Sequence, residues 1–144
     1  MIVVLDTNVW ISAVLNSAGR PARVAAGVAD GTFVAVSTIH LWTELLAALA
    51  QPHLRTALER KDGWELACAA IAVAQQAVVL VPAIPPRAAW VPADPDDNWV
   101  IQCALTAKAE HIVSGYRHLL SLGQVEQVRI VSPAEFLSLL SEKT

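Results

Sequence analysis

The chain has 144 residues, of which 55% are hydrophobic and 16% are charged, and this balance excludes a disordered chain and predicts one domain with a sizeable core. The net charge of −3 argues against a protein that binds nucleic acid by broad neutralisation of phosphates, because that mode needs a dense lysine and arginine face. An enzyme that reaches phosphate groups through metal ions is not excluded.

The first half of the chain opens with a short apolar run that predicts a buried strand and continues with apolar residues at helical spacing. Pro21 suits a first helical position, and Asp30-Gly31 is predicted to end that helix. Ser37 is predicted to cap the next helix, which carries Glu44. The predicted elements are strand Ile2–Leu5, helix Asn8–Leu15, a helix from Pro21, strand Phe33–Val36 and a helix from Ser37.

The second half contains a long helical segment, a proline-rich loop and two further strands. The helical segment is predicted to break near Asp62-Gly63. Five prolines between positions 82 and 95 predict an extended surface connection. Ser132 and Glu135 have the spacing of a capping box at the last helix. The predicted elements are helix Leu54–Gln76, strand Val78–Val81, helix Asp96–Lys108, strands His111–Val113 and Val128–Val131, and a helix from Pro133.

The alternation of strands with helices predicts an α/β fold with a mainly parallel sheet covered on both faces. Membrane insertion is not expected, because Gln75 and Gln76 interrupt the most apolar segment, Leu66–Ile84, and Pro82 lies near its end. The first residues lack the basic region of a signal peptide. The protein is therefore predicted to be cytoplasmic.

Several carboxylates follow predicted strands, where parallel sheets bind their ligands. Asp6 lies directly after the first strand, and Glu44 lies on the helix after the second. Asp94, Asp96 and Asp97 lie at the start of a later helix. Each acid alone has an ordinary explanation as a helix cap or a solvated surface charge. Together they predict a site for Mg²⁺ or Mn²⁺, because clustered carboxylates repel one another unless cations join them.

The order of these motifs resembles that of the PIN domain family, especially its bacterial toxins of toxin-antitoxin pairs. The resemblance covers nearly the whole chain, so residues 1–144 are expected to form a single PIN-like domain. It implies a five-stranded, mainly parallel sheet sandwiched between helices. The segments that carry it are VVLDTNVWISAVL, TELL, DPDDNWVIQCAL, HIVSGYRHLL and VRIVSPAEFL.

The resemblance also implies a metal-dependent endoribonuclease that cuts RNA with Mg²⁺ or Mn²⁺, is often a homodimer and is held in check by an antitoxin protein. It assigns catalysis and metal binding to Asp6, Glu44 and Asp97. Asp94 and Asp96 are neighbours that join the metal-binding set. The supporting residues are Asn8 beside Asp6, Ser37 or Thr38 at the helix of Glu44, and Ser114.

The segment VSGYRHLL departs from the family pattern. Similar proteins usually carry an acid directly after the glycine and often another two residues later, but this chain has Tyr116 and His118 there. The missing fourth carboxylate predicts weak binding of a second ion. Tyr116 is expected to pack its ring on the core with its hydroxyl in water. His118 is expected to face solvent, with metal ligation as the alternative, since imidazole suits Mn²⁺ better than Mg²⁺.

Basic residues and rival functions remain open. Four arginines either contact RNA phosphates or are solvated surface charges. The main rival to a ribonuclease is a degenerate PIN domain that binds RNA or a protein without cutting. A phosphatase or receiver with a phosphorylated Asp6 is disfavoured, because Asn8 stands where such phosphatases have a second aspartate. The four arginines are Arg20, Arg23, Arg87 and Arg117.

Overall fold

The computed structural model describes residues 1–60 and 63–142, which form the mixed α/β fold that the sequence predicts. The strands are β1 (Ile2–Leu5), β2 (Val34–Ser37), β3 (Val79–Leu80), β4 (His111–Val113), β5 (Gln124–Val125) and β6 (Val128–Val131). The helices are α1 (Thr7–Leu15), α2 (Arg20–Ala29), α3 (Ile39–Leu49), α4 (Pro52–Arg60), α5 (Trp64–Ala77), α6 (Asp97–Ala107), α7 (Arg117–Leu120) and α8 (Pro133–Glu142).

The strands form a sheet of order β3-β2-β1-β4-β6-β5, in which every neighbouring pair except β5 and β6 is parallel. The chain builds one half of the sheet with β1, β2 and β3 and then crosses to the other side with β4. The strand order therefore reverses between β1 and β4. In open α/β sheets, ligands bind at the carboxyl ends of the strands beside such a reversal.

Both faces of the sheet are buried. Val3 and Leu5 of β1 point into a core cluster that includes residues of α1, α2, α3, α5 and α8. Val4, between them, belongs to a second cluster, on the face that α6 covers. Because successive strand residues point to opposite faces, a continuous apolar strand needs both layers of helices. This explains why the central strands carry no polar alternation.

The prediction of five strands missed β5, a two-residue strand that pairs antiparallel with β6 at the sheet edge. The turn between them places Glu126 at a positive φ of 51°, a conformation that few residues other than glycine adopt. A strand of two residues is too short to show a period of alternation, so the sequence pattern contains no signal for it.

The capping predictions had mixed outcomes. The capping box is confirmed, since the Ser132 N–H donates to Glu135 Oε1 at 3.3 Å and the Glu135 N–H donates to Ser132 Oγ at 3.1 Å. Ser37 as N-cap of α3 is wrong. That position belongs to Thr38, whose Oγ1 accepts from the Leu41 N–H, while Ser37 ends β2.

The predicted break within the long helical segment falls partly on Asp62, which lies outside the described residues, and Gly63 directly precedes α5. Most other predicted boundaries differ from the observed ones by one or two residues, as is usual at helix and strand ends. In the described part of the chain, no helix is long and apolar enough to cross a membrane.

Candidate functional site

The carboxyl end of β1 holds Asp6 in a fixed position. Its backbone N–H donates to the Val113 carbonyl at 2.9 Å, which extends the pairing of β1 with β4. Its Oδ2 accepts a hydrogen bond from Ser114 Oγ at 2.7 Å. Asp6 precedes α1 but makes no side-chain capping bond to that helix. The capping role that explains many aspartates after strands is therefore not the role of Asp6.

Burial dominates the electrostatics of Asp6, whose exposed fraction is 3%. Its pKa is raised from 3.8 to about 6, and the loss of solvation is the largest cause. The bond from Ser114 and a backbone bond from Thr7 act to lower the pKa, whereas repulsion from Asp94 and Glu44 acts to raise it. A buried acid with acidic neighbours is costly to ionise unless a cation compensates it.

Asp97 is the first residue of α6 and is also buried, with an exposed fraction of 4%. Its Oδ2 has no hydrogen-bond partner among the described residues. Desolvation, followed by repulsion from Asp6, Asp94 and Asp96, raises its pKa to about 7. Buried polar atoms in folded proteins nearly always have partners, so this oxygen calls for a bound group.

Glu44 projects from α3 and is half-buried. Its Oε1 lies 3.1 Å from Nε2 of His40, one helical turn earlier. The ring of His40 in turn stacks on Trp99 of α6, with 3.7 Å between ring centroids. The pKa of Glu44 is raised by desolvation, lowered by His40, and raised by Asp96 and Asp94. His40 thus links the helix of Glu44 to the helix of Asp97.

The turn before α6 adds two more acids. The N–H of Asp97 donates to the Asp94 carbonyl at 3.1 Å. Asp94 contributes to the raised pKa of Asp6, Glu44 and Asp97, and Asp96 contributes to the last two. Each of the five predicted acids therefore lies within electrostatic reach of at least two of the others. Asp96 precedes α6 without a side-chain capping bond, so it does not serve as a cap either.

The loop after β4 is tied to the start of the chain by two of the predicted supporting residues. Asn8 Oδ1 accepts from the Gly115 N–H at 3.4 Å, and Ser114 Oγ accepts from the Tyr116 N–H at 3.0 Å. Ser114 thus joins this loop to Asp6, whereas Asn8 bonds to the loop and not to Asp6. Ser37 and Thr38 lie buried at the start of α3, on the chain that leads to Glu44.

The two residues that depart from the family pattern both lie beside the acids. Tyr116 is 51% exposed. The pKa of its hydroxyl is raised by desolvation and by repulsion from Asp6, Asp97 and Asp94. His118 is exposed, as predicted, yet one of its ring nitrogens lies within 4.8 Å of carboxylate oxygens of Asp94 and Asp97. In the sequence, the signal for His118 was its position two residues after Tyr116, where similar proteins often carry a second acid.

No ion pair in the described part of the chain joins the four arginines to the five acids. Arg87 pairs with Glu126 and lies over the ring of Trp90. Arg20, Arg23 and Arg117 are exposed.

One comparison with known proteins gave a match. A family model described as a PIN domain matches residues 2–118, a range that contains all five acids and ends at His118. No curated protein and no solved structure matches the chain.

Proposed function

Because the chain belongs to the PIN domain family, we propose that its acidic site is the active centre of a metal-dependent endoribonuclease that hydrolyses phosphodiester bonds of RNA. PIN domains are in general metal-dependent nucleases. The observation that carries the proposal is the buried Oδ2 of Asp97, which lacks a hydrogen-bond partner among the described residues and has several other carboxylates around it.

The donor set fits Mg²⁺ or Mn²⁺. Hard divalent cations prefer carboxylate oxygens, and a compensating positive charge favours the ionised forms of both Asp6 and Asp97 at neutral pH. Asp6, Glu44 and Asp97 would hold the metal, with Asp94 and Asp96 beside them. Divalent ions in such a site supply activation of a water molecule and stabilisation of the departing oxygen.

The residues around the acids orient them for this role. Ser114 fixes one oxygen of Asp6, which leaves the other oxygen available. His40 contacts one oxygen of Glu44 in the same way. Exposed arginines beyond the site, such as Arg117, would contact RNA phosphates and so position the substrate. The net charge of −3 is consistent with a few arginine–phosphate contacts, because only broad neutralisation of phosphates needs a strongly basic surface.

We further propose that the enzyme is the toxin of a toxin-antitoxin pair, acts in the cytoplasm and forms a homodimer. An exposed apolar surface supports the proposal that the chain binds protein partners. Leu66 and Val73 of α5 are exposed and line a cavity of about 580 Å³ beside Trp10 and the small residues of α2. Contiguous exposed apolar surface of this kind marks interaction sites.

The experiment that tests the function is incubation of the purified protein with mixed RNA substrates in Mg²⁺, Mn²⁺ or chelator. We expect cleavage in the presence of metal and none in chelator, because the clustered carboxylates need the cation to form the site. Cleavage that persists in chelator contradicts the proposal. Absence of cleavage with every metal favours the rival, a PIN domain that binds RNA or protein without cutting.

A second prediction concerns the missing fourth acid. We expect Tyr116→Asp to raise Mg²⁺-dependent cleavage several-fold. The substitution adds a carboxylate at a position whose side chain already interacts electrostatically with Asp6, Asp94 and Asp97. Titration calorimetry should also show tighter binding of a second Mg²⁺ ion. The cost in stability should be small in the presence of metal, because the replaced ring is half-exposed.

Tyr116→Asn is the matched control, since it removes the ring without adding a charge. The double variant Tyr116→Asp/Asp6→Asn should be inactive. A stable Tyr116→Asp protein that cleaves more slowly than wild type would show that Tyr116 itself contributes to function.

A further inference from the structure

His118 lies at the acidic site although it does not belong to the carboxylate set. One of its ring nitrogens and one carboxylate oxygen from each of Asp94 and Asp97 lie within 4.8 Å of one another. Two atoms that bind the same ion on opposite sides are about 4.2 Å apart, because each metal–ligand bond is about 2.1 Å long. A small side-chain adjustment therefore suffices for all three atoms to share one ion.

We infer that His118 is a nitrogen ligand of the metal and replaces, in part, the carboxylate that this chain lacks after Gly115. The inference rests on the proposed function and adds a donor of a different chemical class to the site. It assigns one metal position to Asp94, Asp97 and His118.

The buried Oδ2 of Asp97 gives independent support. This oxygen is removed from solvent and has no hydrogen-bond partner among the described residues. A cluster of exposed polar groups alone is common in proteins without a ligand. A buried acceptor without a partner is rare, and a bound cation would satisfy it.

The backbone of His118 is well anchored, while its ring is free to turn. The next residue, Leu119, is fully buried, and Ser121 Oγ donates to the His118 carbonyl at 3.1 Å. The exposed ring can therefore change its rotamer without unfolding α7. Because Tyr116 offers only a neutral hydroxyl at neutral pH, His118 is the stronger donor of the two.

A mixed oxygen and nitrogen donor set changes the choice of metal. Mg²⁺ prefers oxygen ligands and keeps much of its water shell, whereas first-row transition ions accept imidazole readily. Mn²⁺ accepts both donor types, so His118 should shift the preference of the site from Mg²⁺ toward Mn²⁺. A carboxylate in the same place would not produce this shift.

The test is pulsed electron paramagnetic resonance of Mn²⁺ bound to the protein, together with titration calorimetry of Mn²⁺ and Mg²⁺. We expect nitrogen nuclear modulation in the wild type and in His53→Ala, an exposed histidine of α4 used as the control, and none in His118→Ala. His118→Ala should weaken Mn²⁺ binding by about tenfold or more and weaken Mg²⁺ binding less. His118→Asp should also lose the nitrogen modulation, but it should shift the binding preference of the site from Mn²⁺ toward Mg²⁺.

Two results overturn the inference in distinguishable ways. If Mn²⁺ binds without nitrogen modulation, or with modulation that survives in His118→Ala, His118 is not a ligand and the proposed function stands. A surviving signal would point to His40, which contacts Glu44. If the wild type binds neither Mn²⁺ nor Mg²⁺, and Asp97→Asn gives the same calorimetric result as the wild type, the proposed function and the inference both fail.

Discussion

Asp6→Asn is expected to reduce metal-dependent RNA cleavage by at least about a hundredfold while the fold survives. Mutation of residues that only support metal ligands commonly costs 10- to 100-fold, so loss of a ligand itself should cost at least about 2.7 kcal/mol of transition-state stabilisation. The amide has nearly the shape of the carboxylate and still accepts the hydrogen bond that Ser114 donates to Asp6. Steady-state cleavage rates at saturating Mn²⁺ measure the effect.

The same substitution should stabilise the metal-free protein. Burial raises the pKa of Asp6 to about 6, so at pH 8 the folded wild type carries a poorly solvated charge that the amide lacks. We therefore expect Asp6→Asn to have a higher Tm than the wild type at pH 8 in chelator. Lower activity together with higher stability is typical of substitutions at an acid retained for function. Substitution of a residue retained for packing would instead lower both activity and stability.

Asp30→Asn is the matched control. Asp30 is exposed at the end of α2, and its Oδ1 accepts from the Thr32 N–H, a bond that the amide oxygen can also accept. This variant should keep full activity and an unchanged response to metal. If Asp6→Asn cleaves RNA as fast as Asp30→Asn does, Asp6 is not part of the catalytic site.

The stability of the metal-free protein is expected to fall as the pH rises from about 4 to about 7. Asp6 and Asp97 have pKa values of about 6 and about 7 in the folded state, both above their ordinary value of 3.8. Each group therefore stabilises the fold below pH 3.8, where it is protonated in both states, and loses that contribution as the pH passes through the folded pKa.

Between pH 5 and pH 8 the expected loss is roughly 2–4 kcal/mol. Of the pKa shifts, about one unit for Asp6 and about two for Asp97 lie above pH 5, each unit corresponds to about 1.4 kcal/mol, and the two acids share their mutual repulsion. For a chain of this size the Tm should fall by about 6–12 °C. Differential scanning calorimetry at pH 5 and pH 8 in chelator measures it.

Metal should reverse this loss at pH 8. A cation that binds the folded state alone stabilises it by about 2.7 kcal/mol at 100 times its dissociation constant. Asp97→Asn should flatten the pH dependence, whereas Glu59→Gln, an exposed acid of α4 paired with Arg55, should leave it unchanged. A metal-free protein that is equally stable at both pH values would show that these carboxylates are not held in a costly ionised state.

The sequence by itself determined the fold class and most of the elements. Uninterrupted apolar runs such as Ile2–Leu5 predicted strands buried on both faces, and the spacing of Ser132 and Glu135 predicted the capping box that the structure contains. These signals are local, since an apolar run and a capping box are each formed by residues that lie within a few positions of one another. The two-residue strand β5 gave no such signal.

The sequence also indicated which residue types to expect at the site, because acids that follow parallel strands lie at one edge of the sheet. It could not give their environments. Asp6 and Asp97 are far apart in the chain, and only the packing of α6 against the sheet buries both carboxylates and raises their pKa values. The capping bond that the local sequence allowed for Asp6 is absent from the start of α1.

The position of His118 was decided by the tertiary structure alone. Its own segment predicts an exposed histidine in a polar loop; the exposure is confirmed, but the residue lies in the short helix α7 and not in a loop. The β4 strand, the bond that Ser114 donates to Asp6 and the bond that Asn8 accepts from the loop bring the loop to the start of α1. The turn before α6 brings Asp94 and Asp97 to the same place. Side-chain proximity of this kind depends on contacts between distant segments, whereas periodicity reports only what each segment does on its own.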